Sequence, residues 1–222
     1  MSAPPDVYAT ARPGLVTRLA SRAAARARRR RHELFERALA VRPGDRILDV
    51  GCGAAGLRAL DPDGHEIVGL DVLPQPSYPG RLVVGDARAM PFGDGEFDVA
   101  WCNSLIEHVA PADRPRVAAE VRRVAGRWLV QTPNRWFPIE PHVLLPGFQF
   151  LPRALQRRLR RFGASGEDEE VRLLGARELR RLFPDAVVVR ERVGPLTKSL
   201  MALGPRERVR LDRASRRPPS GA

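Results

Sequence analysis

A chain of 222 residues, 43% apolar and 29% charged, has the composition of a soluble protein and can bury one α/β core with short additions. No run approaches the ~20 apolar residues that span a bilayer, so no transmembrane segment is expected. The formal charge of +12 and a pI near 11.3 favour anionic partners such as RNA, acidic lipid or phosphorylated molecules, without choosing among them.

Nearly all of that basic charge is arginine, and Lys198 is the single lysine. Two cysteines and the absence of an apolar leader segment predict a reducing, cytoplasmic setting, with peripheral contact at the inner membrane face as an option. His32, His65, His108 and His142 lack metal-ligand spacing, and no metal site is expected.

In chain order, a proline-bearing arm precedes a helical pattern from Arg18 to Ala40; residues 1–40 together form a basic N-terminal arm and helix. Arg18, Arg22, Arg26 and Arg30 recur every fourth residue, with Arg28, Arg29 and Arg31 beside them. They make a basic face opposite a thin apolar one (Leu19, Ala23, Ala27, Leu34, Ala38). The pattern suits a solvated helix packed through its C-terminal half; contact with nucleic acid or an anionic membrane is the other reading.

Residues 41–203 read as the main domain. Ile47, Leu48 and Val50 form a short apolar strand leading into the turn Gly51-Cys52-Gly53-Ala54-Ala55-Gly56. A short helix over Leu57–Leu60 and a second strand (Ile67, Val68, Leu70) follow, ending in Asp71. Strand, glycine turn, helix, strand and acid is the layout of a nucleotide-binding βαβ unit. Asp71 stands where a carboxylate accepts ribose hydroxyls. The glycine spacing alone also fits a dinucleotide site, but Asp49 lies two residues before the first glycine. A pyrophosphate there meets a like charge, whereas an ammonium or a sulfonium is attracted. S-adenosyl-L-methionine carries both cations and the ribose.

A third strand, Leu82–Val84, ends at Asp86, placed to accept an exocyclic adenine amine. Phe97 to Asn103 predicts the fourth strand, a turn with Glu107 and His108 follows, and a helix spans about Ala112 to Ala125. Arg127–Thr132 predicts the fifth strand. Residues from about 133 to 165 read as a substrate-side insertion holding Trp136, Glu140 and His142, then a basic amphipathic helix (Leu155, Leu159, Phe162 against five arginines). That helix suits a lipid pocket, a membrane surface or plain packing. A helix near Ala176–Leu182, a strand over Ala186–Arg190 and a partner over Leu196–Leu203 complete the domain. Residues 204–222 are expected to be a frayed tail.

The segments ILDVGCG (47–53), GLD (69–71), GDARAMPF (85–92), FDVAWCNSLIEHV (97–109) and WLVQTPN (128–134) resemble class I S-adenosylmethionine-dependent methyltransferases of the type 11 small-molecule group. The resemblance implies a Rossmann-like, doubly wound α/β fold. Its seven strands would be ordered 3-2-1-4-5-7-6, the last antiparallel. It further implies that Asp49 and the backbone of Gly51, Cys52 and Gly53 hold the methionine end of the cofactor. Asp71 and Val72 would take the ribose, Asp86 with Ala87 the adenine, and Asn103 would lie near the sulfonium. The turn departs from many relatives in carrying one more residue before Gly56.

The activity implied is methyl transfer to a small or lipid-like acceptor, at oxygen, with His142 (oriented by Glu140) or His108 as candidate base. The rivals are an RNA methyltransferase using the arginine-rich surface and a non-catalytic, methyltransferase-like binding protein. Asn103-Ser104-Leu105 lacks the Pro-Pro-aromatic turn used on exocyclic amines of nucleic acid. Cys102 falls within a strand pattern, which argues against a cysteine nucleophile.

Overall fold

The computed structural model describes residues 15–61, 64–139, 146–152, 154–156 and 171–211. Seven strands form one sheet: β1 (Arg46–Val50), β2 (Glu66–Asp71), β3 (Arg81–Val84), β4 (Phe97–Asn103), β5 (Ala125–Pro133), β6 (Val187–Val193) and β7 (Leu196–Gly204). Their order is β3-β2-β1-β4-β5-β7-β6, as expected, and β7 is antiparallel to both of its neighbours. The central strands are nearly continuous apolar runs because helices or loops cover both faces of a parallel sheet. In register, Leu48 of β1 sits between Val68 of β2 and Ala100 of β4.

Alternation along each strand splits the core into two layers. On one face Leu48, Val50, Ala100 and Trp128 pack with α2 (Arg114–Val124) and α3 (Ala176–Leu182) through Val117, Val121 and Leu179. On the other, Ile47, Val99, Trp101 and Leu129 pack with Phe35 and Ala38 of α1 (Leu15–Ala38) and with Leu39 beyond it. Helix α1 therefore packs through its C-terminal half, as its sequence predicts, and Arg26, Arg29 and Arg30 are exposed. Arg31 is the exception. Its position relative to Phe35 and Ala38 is that of the buried face, and it is only 8% exposed.

Two expectations are corrected. No helix forms over Leu57–Leu60: residues 53–60 make a series of turns, with Ala59 N–H bonded to the Ala55 carbonyl and Asp61 N–H to that of Leu57. The segment is too short to propagate a helix before Asp61-Pro62-Asp63-Gly64 stops it. The frayed tail also does not begin at Gly204. That residue pairs with Trp128, a 3₁₀ turn follows over Arg206–Arg208, and Arg210 N–H donates to the Ala38 carbonyl at 2.7 Å.

Arg114 clamps the α2 side. It is 2% exposed, donates to Glu178 Oε1 at 2.6 Å and to the Val109 carbonyl at 3.1 Å, and also reaches the Arg172 carbonyl. Arg114→Ala should cost about 3 kcal/mol, since it removes a buried side chain and strands two partly buried carbonyls. Glu178→Gln should cost less than about 1 kcal/mol, because that carboxylate meets solvent. Urea unfolding of both variants checks the ranking, and equal losses would contradict it.

Candidate functional site

The carboxyl edge of β1, β2 and β3 surrounds a cavity of about 270 Å³. Its lining includes Gly51, Asp71, Val72, Asp86, Ala87, Leu105 and His108. The strand ends are tied by backbone bonds: Gly51 N–H donates to the Leu70 carbonyl and Gly85 N–H to the Asp71 carbonyl, both at 2.8 Å. Gly51 has φ +69°, and a Cβ there would lie 2.8 Å from Leu105 Cδ1. Only glycine admits that approach of turn and wall.

Asp71 is set for hydroxyl recognition. Oδ2 accepts from Gly53 N–H at 2.9 Å and Oδ1 from Leu73 N–H at 3.0 Å. Each oxygen keeps a further lone pair, so the fixed carboxylate can accept two more donors. Asp86 accepts the Arg88 backbone N–H at 2.8 Å and grips the guanidinium of the same residue at 2.6 Å. Arg88 holds that carboxyl below the usual range, so it stays ionised and acceptor-only.

Asp49 is placed differently from the sequence expectation. Its carboxylate is 1% exposed and does not line the cavity. It lies beneath the glycine turn and accepts Leu57 N–H at 2.6 Å, with the buried Tyr78 beside it. Burial pushes its pKa up to about 7; the Leu57 N–H and the Tyr78 hydroxyl oppose the rise, and the Asp71 charge adds to it. Gly56, at φ +50°, completes the arrangement, because a Cβ there would fall 2.0 Å from Asp49 Oδ2. Asp49 thus shapes the turn through Leu57 and Gly56. Its bond to Leu57 N–H does the job a helix start was expected to do.

Cys52 and Gly53 belong to the turn but not to the cavity lining. Burial pushes the thiols of Cys52 and Cys102 upward, so neither is a ready thiolate. Asn103, at the end of β4, accepts from Arg31 Nη1 through its Oδ1 at 2.7 Å and is not among the residues that line the cavity. His108 lines the cavity with Val72 and Asp86. Glu140 and His142 lie outside the described residues.

Sequence reasoning missed Arg88, Leu105 and Tyr78 here. Of these, Leu105 had a signal: it follows the fourth strand directly, where an apolar side chain folds back onto the first glycine.

Residues 48–127 match the family model described as a methyltransferase domain, of type 11. The chain is 36% identical over 94 residues to 2-methyl-6-phytyl-1,4-hydroquinone methyltransferase of Synechocystis sp. (strain ATCC 27184 / PCC 6803 / Kazusa), covering 37% of this chain and 29% of that protein. It is 30% identical over 128 residues to ubiquinone biosynthesis O-methyltransferase of Bordetella parapertussis (strain 12822 / ATCC BAA-587 / NCTC 13253), covering 51% and 53%. The chain thus spans about half, or less, of the length of these relatives. Among solved structures, the PH0226 protein from Pyrococcus horikoshii OT3 superposes with a TM-score of 0.57 at 21% identity, covering 81% of this chain and 89% of that one; it shows the fold. Fold and site together define a class I, Rossmann-like methyltransferase domain. Residues 48–127 are thus similar to the type 11 methyltransferase domain, on a sheet whose strand order is the one expected of class I methyltransferases.

The Asp49 pKa gives a test of the turn. Folded chains keep a proton on Asp49 that unfolded chains release near pH 4, so stability falls as pH rises from about 4 to about 7. Asp49→Asn retains an acceptor for Leu57 N–H and should remove that slope. Relative to the variant, the parent should lose up to about 4 kcal/mol across the window in urea titrations. Parallel pH profiles of the two proteins would refute the assignment.

Proposed function

We propose that this chain transfers the methyl group of S-adenosyl-L-methionine to an oxygen of a small or lipid-like acceptor. The observation that carries the reading is the pair of acid-ended strands, β2 and β3, whose Asp71 and Asp86 open onto one cavity of a methyltransferase-domain sheet. The acceptor class is supported by the names of two relatives, one acting on a hydroquinone and one an O-methyltransferase of ubiquinone biosynthesis.

The cofactor supplies an electrophilic methyl on a sulfonium. Asp71 accepts the ribose hydroxyls with oxygens already oriented by two backbone N–H groups. Asp86 accepts the adenine amine, with Val72 and Ala87 beside the ring. Leu105 closes an apolar wall against Gly51 and keeps water from the reacting end. Transfer is an in-line displacement, so these contacts work by alignment and dehydration. The acceptor then comes in over the ends of β4 and β5, beside the donor cavity. A base is useful there but not obligatory, and His142, in the segment after β5, is the better candidate by position.

Calorimetric titration with S-adenosylhomocysteine tests the donor half. Asp71→Ala should weaken binding at least tenfold, about 1.4 kcal/mol, with the fold retained by circular dichroism. A parent protein that does not bind S-adenosylhomocysteine would overturn the reading.

A further inference from the structure

The other half of the carboxyl edge carries a polar cluster that donor binding does not use. Arg31 reaches it from α1. Its Nη1 donates to Asn103 Oδ1 of β4 at 2.7 Å and to Gln131 Oε1 of β5 at 3.2 Å, and its Nε to Glu191 Oε2 of β6 at 3.3 Å. Ser104 Oγ donates to the same Gln131 oxygen at 2.9 Å. Gln131 is 1% exposed and the Arg31 side chain 9%. Arg31 Nη2 has no hydrogen bond among the described residues and is not a fully buried atom, so it is the one nitrogen of this guanidinium left for solvent or a ligand.

Lys198 stands next to this group. The register of β6 and β7 slips at Glu191/Arg192: Glu191 pairs with Ser199 and Arg192 with Thr197, which leaves Lys198 as the extra residue of a bulge. Bulges re-aim side chains, and this one belongs at the strand end nearest Arg31. Lys198 is half-buried and forms no ion pair within 4 Å among the described residues. Its burial, and the Arg31 charge beside it, hold its ammonium below the usual lysine range, partly offset by Glu191. Two cations therefore face one carboxylate in a half-buried setting, leaving one positive charge uncompensated.

We propose that Arg31 Nη2 and Lys198 hold an anionic oxygen of the methyl acceptor, such as a carboxylate or an ionised phenol on its ring. The inference rests on the methyltransferase reading and deepens it by naming the acceptor's charge. The donor half of the edge is lined by Asp71, and by Asp86 paired with Arg88, so its lining is acidic by one charge and suits a cationic cofactor. The acceptor half presents arginine and lysine, so each ligand meets the opposite sign, and exchange of the two is disfavoured. An acceptor oxygen held as an anion beside these cations is also the better nucleophile and reduces the need for a base.

The single lysine makes the test direct. Reductive methylation with ¹³C-formaldehyde labels Lys198 and the N-terminal amine, and dimethylation preserves the charge of Lys198. With S-adenosylhomocysteine bound, benzoate and inorganic phosphate should each be compared with neutral benzamide by NMR. We expect benzoate to shift the Lys198 resonance saturably, at least tenfold more tightly than benzamide. Phosphate responding in place of benzoate would keep the anion site and change its source to a phosphorylated acceptor. Calorimetry on unlabelled variants completes the test: Lys198→Met should weaken the anion at least fivefold with S-adenosylhomocysteine affinity unchanged, and Lys198→Arg should restore it. Arg31→Gln should do the same as Lys198→Met if it folds. No saturable response to either anion, or an equal response to benzamide, overturns the proposal while donor binding is intact. Failure of S-adenosylhomocysteine to bind overturns the methyltransferase reading itself.

Discussion

The site depends on one buried carboxylate. Asp49 sits beneath the glycine turn, where it has lost nearly all contact with water and gains one backbone N–H from Leu57. A desolvated acid with so little compensation is costly, and the rise of its pKa to about 7 expresses that cost. In return the turn has one shape. Gly56 must lack a side chain, and Gly53 N–H is delivered to Asp71. Asp71 in turn receives Gly85 N–H on its carbonyl, which fixes the loop that carries Asp86. Three strand ends are thus aligned by a relay of backbone bonds that begins at a side chain buried beneath the turn. Cost stored at a ligand edge and met by the surrounding core is the usual arrangement for a binding site.

The strands and the two strand-end acids were legible because they follow from local rules, whereas the sheet order came from the resemblance to a known family. Alternation and apolar runs gave the strands, and βαβ connectivity places acids such as Asp71 and Asp86 on the same edge. The orientation of Asp49 was not legible. Attraction of a sulfonium to a carboxylate is sound electrostatics, but it presumes that the carboxylate faces the ligand, and a residue in the last turn of a buried strand can face either way. The missing helix over Leu57–Leu60 had a different source. A glycine turn followed by four apolar or basic residues reads as a helix start, and Asp49 does accept Leu57 N–H as a cap would, but the segment is too short to propagate.

Arg31 and Asn103 mark a different limit. In an arginine-rich helix a basic residue is read as solvated, and a polar residue after β4 is read as aimed at the cofactor. The first reading is right for Arg26, Arg29 and Arg30. The two meet because α1 crosses the edge of the sheet at the one turn where its arginine series coincides with the face of Phe35 and Ala38. That coincidence was present in the spacing, 31, 35 and 38, but charge outweighed it. The tail after Gly204 belongs to the same kind: a charged, proline-bearing stretch read as frayed, held in place as far as Arg210 by a backbone bond to the end of α1.

Net charge then takes on another meaning. Arg114, Arg123 and Arg127 spend their guanidinium groups on carbonyls and carboxylates inside the fold. Arg127 grips the carbonyls of Leu39 and Ala40 together with Asp45, and Arg123 those of Met90 and Phe92 with Glu120 and Asp94. A planar fork with five donors suits such multi-partner roles, because it can span two carbonyls and an acid at once. These arginines are clamps, and they cannot be counted toward an electrostatic footprint for RNA or membrane. An ammonium on a flexible stem cannot bridge in that way, but it can follow a mobile anion that a rigid fork cannot. A chain that uses arginine for its clamps, and has its single lysine half-buried beside an unsaturated guanidinium, has placed that lysine where a ligand, and not the fold, completes its partners.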